Sequence, residues 1–204
     1  MASIYPHYDK TQRKGGNFKQ LPKGAYVVLI KKAEDFKWLS GDHAIKFYFD
    51  IAEGEYRDFY KQIYEASTNE DKKWPMDGTY LLNVPDDSSA QYVWDKWNTF
   101  WADLEDSNDG YVFAGDLNGL RGRLIGGCFR IEQSESKATG NIYDHTRFMW
   151  SKPVDDIRSG HYGRLPNDKL IGSGSSGSKP STSTSSGTSW MDVAEASDDE
   201  VPFL

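Results

Sequence analysis

The most constraining feature of the chain is a regular alternation of apolar and polar residues over residues 43–53. Four large apolar side chains occupy every second position: Ile45, Phe47, Phe49 and Ile51. The residues between them are Lys46, Tyr48 and Asp50. Because successive side chains of a β-strand point to opposite faces, this pattern predicts a strand with one buried face and one polar face.

Other segments also have the composition of strands, with β-branched and aromatic residues bounded by Gly, Pro or polar turns. They cover residues 25–33, 55–66, 79–84, 121–134 and 142–151. We expect residues 55–66 to form a hairpin with the strand at 43–53, and residues 135–140 to form the turn of a second hairpin. Gly126 and Gly127 indicate a bulge or sharp bend.

One segment is predicted to be a helix, capped by Ser88 or Ser89 and ended by Asn108-Asp109-Gly110. Its apolar residues recur at spacings of three and four, which favours packing of its tryptophans against the sheet over a role as stacking platforms. Five or six short strands with one intervening helix are typical of a small, mostly β barrel. We therefore expect the oligonucleotide-binding (OB) fold.

This barrel domain is predicted to cover residues 21–153. A basic N-terminal arm, residues 1–20, precedes it, and an extended irregular segment, residues 154–171, follows. Residues 172–204 form a predicted disordered tail, rich in Gly and Ser and ending in an acidic tip. The tail carries five acids and one lysine, so residues 1–171 account for only −3 of the formal net charge of −7. A nearly balanced body can still carry a basic groove that binds nucleic acid.

The sequence contains no motif of the common enzyme classes: no P-loop, no dinucleotide-binding glycine fingerprint and no cluster of zinc ligands. We expect no enzymatic activity, no cofactor and no bound metal. The acidic pairs Asp86-Asp87 and Asp155-Asp156 could serve a metal-dependent nuclease, but solvated loop acids are the favoured interpretation.

The single Cys128 fits a reducing cytosol and a buried thiol. No apolar run of about 20 residues and no signal-peptide pattern occur, so we expect no membrane association.

The pattern that points to a function is the pairing of cations with aromatic residues on predicted strands. Single-stranded nucleic acid is bound in this way, with Lys and Arg near phosphates and aromatic rings stacked on unpaired bases. The predicted single-stranded DNA-binding residues are Lys37, Trp38, Lys46, Tyr48, Tyr56, Arg57, Tyr60, Lys61, Arg130, Arg147 and Trp150.

The acidic tip consists of Asp198, Asp199, Glu200, Val201, Pro202 and Phe203, followed by Leu204. It resembles the C-terminal peptide of bacterial single-stranded DNA-binding proteins, which ends in two Asp, an aliphatic residue, Pro and Phe. The body is similar to a family of bacteriophage single-stranded DNA-binding proteins. The segments that carry this resemblance are residues 21–28, 51–57 and 117–124, and it extends over residues 5–152.

The resemblance implies an OB-fold protein that coats single-stranded DNA during phage replication or recombination, in the host cytoplasm. Its tip would recruit phage or host replication and recombination proteins, and a homo-oligomer is compatible with the sequence. The alternative left open is a protein-interaction adaptor on a β-barrel scaffold that does not bind DNA.

Overall fold

The computed structural model describes residues 20–137 and 139–171, and in these residues the chain forms one five-stranded antiparallel sheet and three α-helices. The strands are β1 (Gly24–Lys37), β2 (His43–Ile51), β3 (Thr79–Asn83), β4 (Leu124–Glu135) and β5 (Ile142–Lys152). The helices are α1 (Phe59–Ala66), α2 (Gln91–Asp106) and α3 (Val154–Ser159). The strand order in the sheet is β3-β2-β1-β4-β5.

The predicted alternation of β2 is confirmed. Its four apolar side chains are all buried, each with no more than 4% of its surface exposed: Ile45, Phe47, Phe49 and Ile51. Lys46 and Tyr48 point to the other face and are partly exposed. Asp50 differs from both, because it is buried although its neighbours on that face are not.

The core is built from aromatic rings that meet between the sheet and α2. Phe47 of β2 lies 4.8 Å from Phe100 of α2 between ring centroids. Trp101 is buried and stacks on Phe113 with ring centroids 3.6 Å apart and planes 4° apart. The predicted helix is therefore confirmed, and so is the packing role of Trp101. Its N-cap is Ala90 rather than a serine.

The predicted strand over residues 55–66 was wrong, because residues 59–66 form the helix α1. The buried carboxylate of Asp50 accepts hydrogen bonds from the backbone N–H groups of Tyr60 and Lys61 and so fixes the first turn of α1. The aromatic content of this segment is typical of a strand, but Tyr56, Tyr60 and Ile63 recur at spacings of four and three, which is helical. Composition was therefore the misleading signal.

The paired glycines of β4 permit close packing. A Cβ atom on Gly126 would lie 2.4 Å from Cγ1 of Ile157 in α3, and one on Gly127 would lie 2.5 Å from a ring carbon of Phe148. The β4–β5 register shifts immediately afterwards, between Cys128 and Phe129, so the predicted irregularity is present one residue later. Cys128 is buried, as predicted.

The segment 154–171 is not irregular throughout, because its first six residues form α3. Further along, Lys169 forms a parallel bridge with Glu132 of β4. This bridge lies beyond Phe129, the last residue of β4 that pairs with β1. The basic arm, apart from its last residue, and the tail at 172–204 lie outside the described residues. In the part of the chain that is described, no helix is long and apolar enough to cross a membrane.

The sheet is not closed into a barrel, which corrects the predicted closure. Within the described residues, the edge strands β3 and β5 share no hydrogen-bonded ladder. Side chains bridge the seam between them instead. Tyr80 of β3 lies 4.5 Å from Phe148 of β5 between ring centroids. Asp77, in the turn before β3, lies 3.3 Å from both His145 and Arg147 of β5.

Candidate nucleic-acid interface

The outer surface of the β1–β2 hairpin carries a compact group of cationic and aromatic side chains. Its members are Lys32, Glu34 and Phe36 of β1 and Lys46 and Tyr48 of β2, and we call this group the hairpin face. The strand register places Lys32 opposite Tyr48 and Glu34 opposite Lys46. These side chains lie on the opposite side of the sheet from the buried Phe47 and Phe49, because directly opposed residues share a face and neighbours along a strand alternate.

Cation–π contacts organise the hairpin face. The ammonium groups of Lys32 and Lys46 lie 5.5 Å and 5.1 Å from the centroid of the Tyr48 ring. Lys46 also lies 6.0 Å from the ring of Phe36. Each such contact contributes about 0.5–1 kcal/mol at an exposed site. The two lysines are therefore held beside aromatic rings, which is the arrangement needed to contact the base and the phosphate of one nucleotide.

One acid lies at the centre of the hairpin face. Glu34 accepts a hydrogen bond from the Tyr48 hydroxyl at 2.5 Å and pairs with Lys32 at 2.5 Å. Partial burial alone would raise the pKa of Glu34, but the hydrogen bonds from Lys32 and Tyr48 and the charges of Lys32 and Lys46 outweigh it and lower that pKa below its usual range. Glu34 is therefore ionised at neutral pH and neutralises part of the positive charge of the face.

The loop after β1 extends the aromatic surface beyond the strands. Trp38 is partly exposed and packs edge-to-face against Phe36, with ring centroids 5.0 Å apart. Lys37 is exposed beside it, and Leu39 has 80% of its surface exposed. The predicted residues Lys37, Trp38, Lys46 and Tyr48 are thus brought to one hairpin.

The predicted residues around α1 are not part of this surface. Tyr60 has only 1% of its surface exposed, and its ring packs against Phe49 and Phe59, so it offers no face for stacking. Tyr56 packs edge-to-face on Tyr26. Two cations there are exposed and lie near acids of their own: Arg57 is 3.8 Å from Asp58, and Lys61 is 3.9 Å from Glu65.

The predicted residues of β4 and β5 are also separated from the hairpin face. Arg130 pairs with Glu132, and Arg147 pairs with Asp77 across the seam. Both arginines are therefore partly neutralised and hold structural contacts. Trp150 is 37% exposed and faces a cleft beside α2.

Three members of the hairpin face were not predicted: Lys32, Glu34 and Phe36. The expected strand ended at residue 33, whereas β1 continues to Lys37. The signal was present, since Lys32, Glu34 and Phe36 occupy every second position. A bulge between Ile30 and Lys32 interrupts the alternation and hides it.

One acid of each pair considered for a nuclease forms side-chain contacts in local structure. The Asp86 carboxylate accepts hydrogen bonds from the backbone and hydroxyl of Ser88 and from the hydroxyl of Ser89, which forms a turn before α2. Asp155 pairs with Arg158 within α3. Among the described residues, no group of three or more His, Cys, Asp or Glu side chains could hold a metal ion.

No protein-family model matches the chain, and no curated protein matches it significantly. The chemistry of the hairpin face is therefore the basis on which we assign a function.

Proposed function

We propose that this protein binds single-stranded DNA through the hairpin face, without strong sequence preference. The observation that carries the proposal is the placement of Lys32 and Lys46 beside the Tyr48 ring on the side of the sheet away from the core. A base that stacks on Tyr48 displaces a lysine from the ring, and the released ammonium then reaches the adjoining phosphate. Stacking contributes about 1–3 kcal/mol per base and accepts every base, because each has a flat π-face.

The same arrangement favours single strands over duplex. Bases in a duplex are stacked on one another and present only their edges in the grooves, so they cannot lie on Tyr48 or Phe36. Trp38 and Phe36 extend the row of rings from the strands to the hairpin loop, which offers room for further bases.

The strand order supports an OB-type fold for this domain. A five-stranded antiparallel arrangement with α2 inserted between β3 and β4 is consistent with that fold, which is a partly open Greek-key barrel. OB folds bind oligonucleotides on the face formed by strands 2 and 3. The loop between strands 1 and 2 and the loop between strands 4 and 5 also take part. The hairpin face includes β2 and adjoins the loop that follows β1.

In the biological setting that we propose, the protein coats single-stranded DNA during phage replication or recombination in the host cytoplasm. The tip at residues 198–203 would then recruit partner proteins, with Phe203 entering a pocket and the acids meeting basic residues around it. Deletion of residues 191–204 should abolish partner binding and leave DNA affinity unchanged or raised. A deletion that lowers DNA affinity would contradict this division of roles.

The direct test of DNA binding is a titration of the full chain with oligo-dT beside a duplex of equal length. We expect tighter binding to oligo-dT and quenching of tryptophan fluorescence. The logarithm of the binding constant should fall linearly with the logarithm of the salt concentration, and this salt slope should be about −0.7 for each phosphate contacted. Equal affinity for duplex and single strand, or no binding at low salt, would contradict the proposal and favour the adaptor.

A further inference from the structure

A second surface of the protein has the same chemistry as the hairpin face but lies elsewhere. It is a cleft of about 220 Å³ beside the seam between β3 and β5, with α2 as one wall. Its lining residues are Tyr80, Asp95, Lys96, Thr99, Trp150 and Ser151. The cleft therefore combines an exposed indole, a phenol ring and a cation.

Lys96 is the cation of this cleft, and among the described residues it forms no salt bridge. Its ammonium lies 5.2 Å from the centroid of the Tyr80 ring, and no acid of the described residues lies within salt-bridge distance. Although the residue as a whole is exposed, the protein around its ammonium desolvates it and lowers the pKa of Lys96. A partly desolvated cation that has no acidic partner in the described part of the chain favours an incoming anion.

The two acids near the cleft, Asp95 and Asp103, accept hydrogen bonds from neutral groups rather than from Lys96. The Asp95 carboxylate accepts a hydrogen bond from the Gln91 side chain at 2.9 Å. The Ser151 hydroxyl donates to buried Asp103 at 2.5 Å, which holds that carboxylate within the protein. Trp150 is 37% exposed, so part of its indole surface is open to a ligand.

We propose that this cleft binds one further nucleotide of the same DNA strand, with its base stacked on Trp150 and its phosphate on Lys96. The inference rests on the proposed function of the hairpin face. The two sites lie on opposite sides of the edge strand β3: Leu81 pairs with Lys46 of the hairpin face, whereas its neighbour Tyr80 pairs with the core residue Phe47 and lines the cleft. Adjacent strands lie about 4.8 Å apart, so a DNA strand that leaves β2 and bends around the edge strand β3 crosses two strand spacings, about 10 Å perpendicular to the strands, to enter the cleft.

The test uses Lys96→Met and Trp150→Leu in the full chain. Two matched controls remove the same residue types outside the cleft: Lys61→Met on α1 and Trp94→Leu on α2. Affinity is measured for oligo-dT of about 4 and about 15 nucleotides, lengths that bracket the usual site sizes of an OB fold. Lys96→Met removes the phosphate contact and Trp150→Leu removes the stacking contact, so we expect each cleft variant to bind the longer oligonucleotide about tenfold more weakly and the shorter one normally.

A second readout does not depend on the length series. Replacement of Trp150 by Phe should lower the fraction of tryptophan fluorescence that saturating oligo-dT quenches, whereas Trp94→Phe should leave that fraction almost unchanged. Urea unfolding of each variant checks that its fold is retained, and Lys96→Gln serves as a milder variant if Lys96→Met is unstable.

The outcomes separate the two proposals. If the wild-type chain binds no oligonucleotide, both are overturned. If it binds but the cleft variants match their controls at both lengths, only the cleft proposal is overturned. A synthetic peptide of residues 192–204 provides the last arm. If both cleft variants lose binding of the peptide but keep binding of the oligonucleotide, the cleft binds an acidic peptide and the nucleotide assignment is overturned.

Discussion

The hairpin face and helix α1 contain the same residue types and use them in opposite ways. On β2, Lys46 and Tyr48 are two residues apart and lie on the same outer side of the sheet. On α1, Tyr60 and Lys61 are adjacent; the tyrosine is buried in the core and the lysine is exposed. The pairing of a cation with an aromatic residue therefore predicts a binding surface only when the backbone turns both to one side.

The difference follows from the two backbone periods. Alternate residues of a strand share a face, whereas neighbours on a helix point about 100° apart. Asp50 fixes the start of α1, since its buried carboxylate accepts hydrogen bonds from the N–H groups of Tyr60 and Lys61. The predictions below test this contrast, beginning with the largest expected effect.

Removal of the two tyrosine rings should affect different properties. We expect Tyr60→Ala to lower the free energy of unfolding by about 3–5 kcal/mol, as for other large aromatic residues of a core. Tyr48→Ala should lower it by only about 1–2 kcal/mol, because its partly exposed ring loses two cation–π contacts but leaves no cavity in the core. Urea unfolding measures both. Tyr60→Phe is the matched control and should be nearly neutral, because the Tyr60 hydroxyl is buried without a hydrogen-bond partner among the described residues. Equal losses in the two alanine variants would break the comparison.

For DNA binding we expect the large effect at Tyr48, although its effect on stability is the smaller one. Tyr48→Ala removes a stacking ring, so we expect its affinity for oligo-dT to fall by about 1–3 kcal/mol, which is roughly 5- to 150-fold. Tyr48→Phe keeps the ring and should retain most of the affinity. Fluorescence titration provides the measurement. Normal binding by Tyr48→Ala would show that the hairpin face is not part of the DNA-binding site.

The acid within the hairpin face should oppose DNA binding. Glu34 competes with phosphate for Lys32, so Glu34→Gln should tighten oligo-dT binding by up to about fivefold, the equivalent of one exposed ion pair. The salt slope should steepen by about 0.7. Asp35→Asn is a matched control, since it changes the charge equally at the adjacent residue, where the carboxylate pairs with His43. Weaker binding by Glu34→Gln would show instead that Glu34 positions Tyr48 for stacking.

The smallest expected effect is the pH dependence of stability contributed by Glu34. Its folded pKa is lowered below 4.5, so it stabilises the fold above that pH and this contribution is lost as the pH falls through the folded pKa. The wild type should therefore exceed Glu34→Gln in unfolding free energy at neutral pH, by less than about 1 kcal/mol because the group is partly exposed. The difference should vanish in acid. Urea unfolding at a series of pH values tests this, and a difference that grows in acid would contradict it.

The sequence predicts the parts of this molecule that depend on local periodicity. Strict alternation located β2 and its two faces, and the spacing of apolar residues located α2. It did not predict α1, because Tyr and Phe favour strands by composition and the contact from Asp50 comes from outside the segment. Nor did it predict the open seam, since whether β3 and β5 pair depends on contacts distant in sequence. The candidate site was predicted in part. The predicted first strand ended at residue 33, because a bulge between Ile30 and Lys32 hides the alternation that continues to Lys37.

The most direct test of the central claim compares two lysines that the sequence pattern treats alike. Oligo-dT affinity is measured as a function of salt for the wild type, for Lys46→Met on the hairpin face, and for Lys61→Met on α1. We predict that Lys46→Met weakens binding and reduces the salt slope by about 0.7, whereas Lys61→Met leaves both unchanged. Equal effects of the two substitutions, or a larger effect of Lys61→Met, would contradict the assignment of the hairpin face as the DNA-binding site.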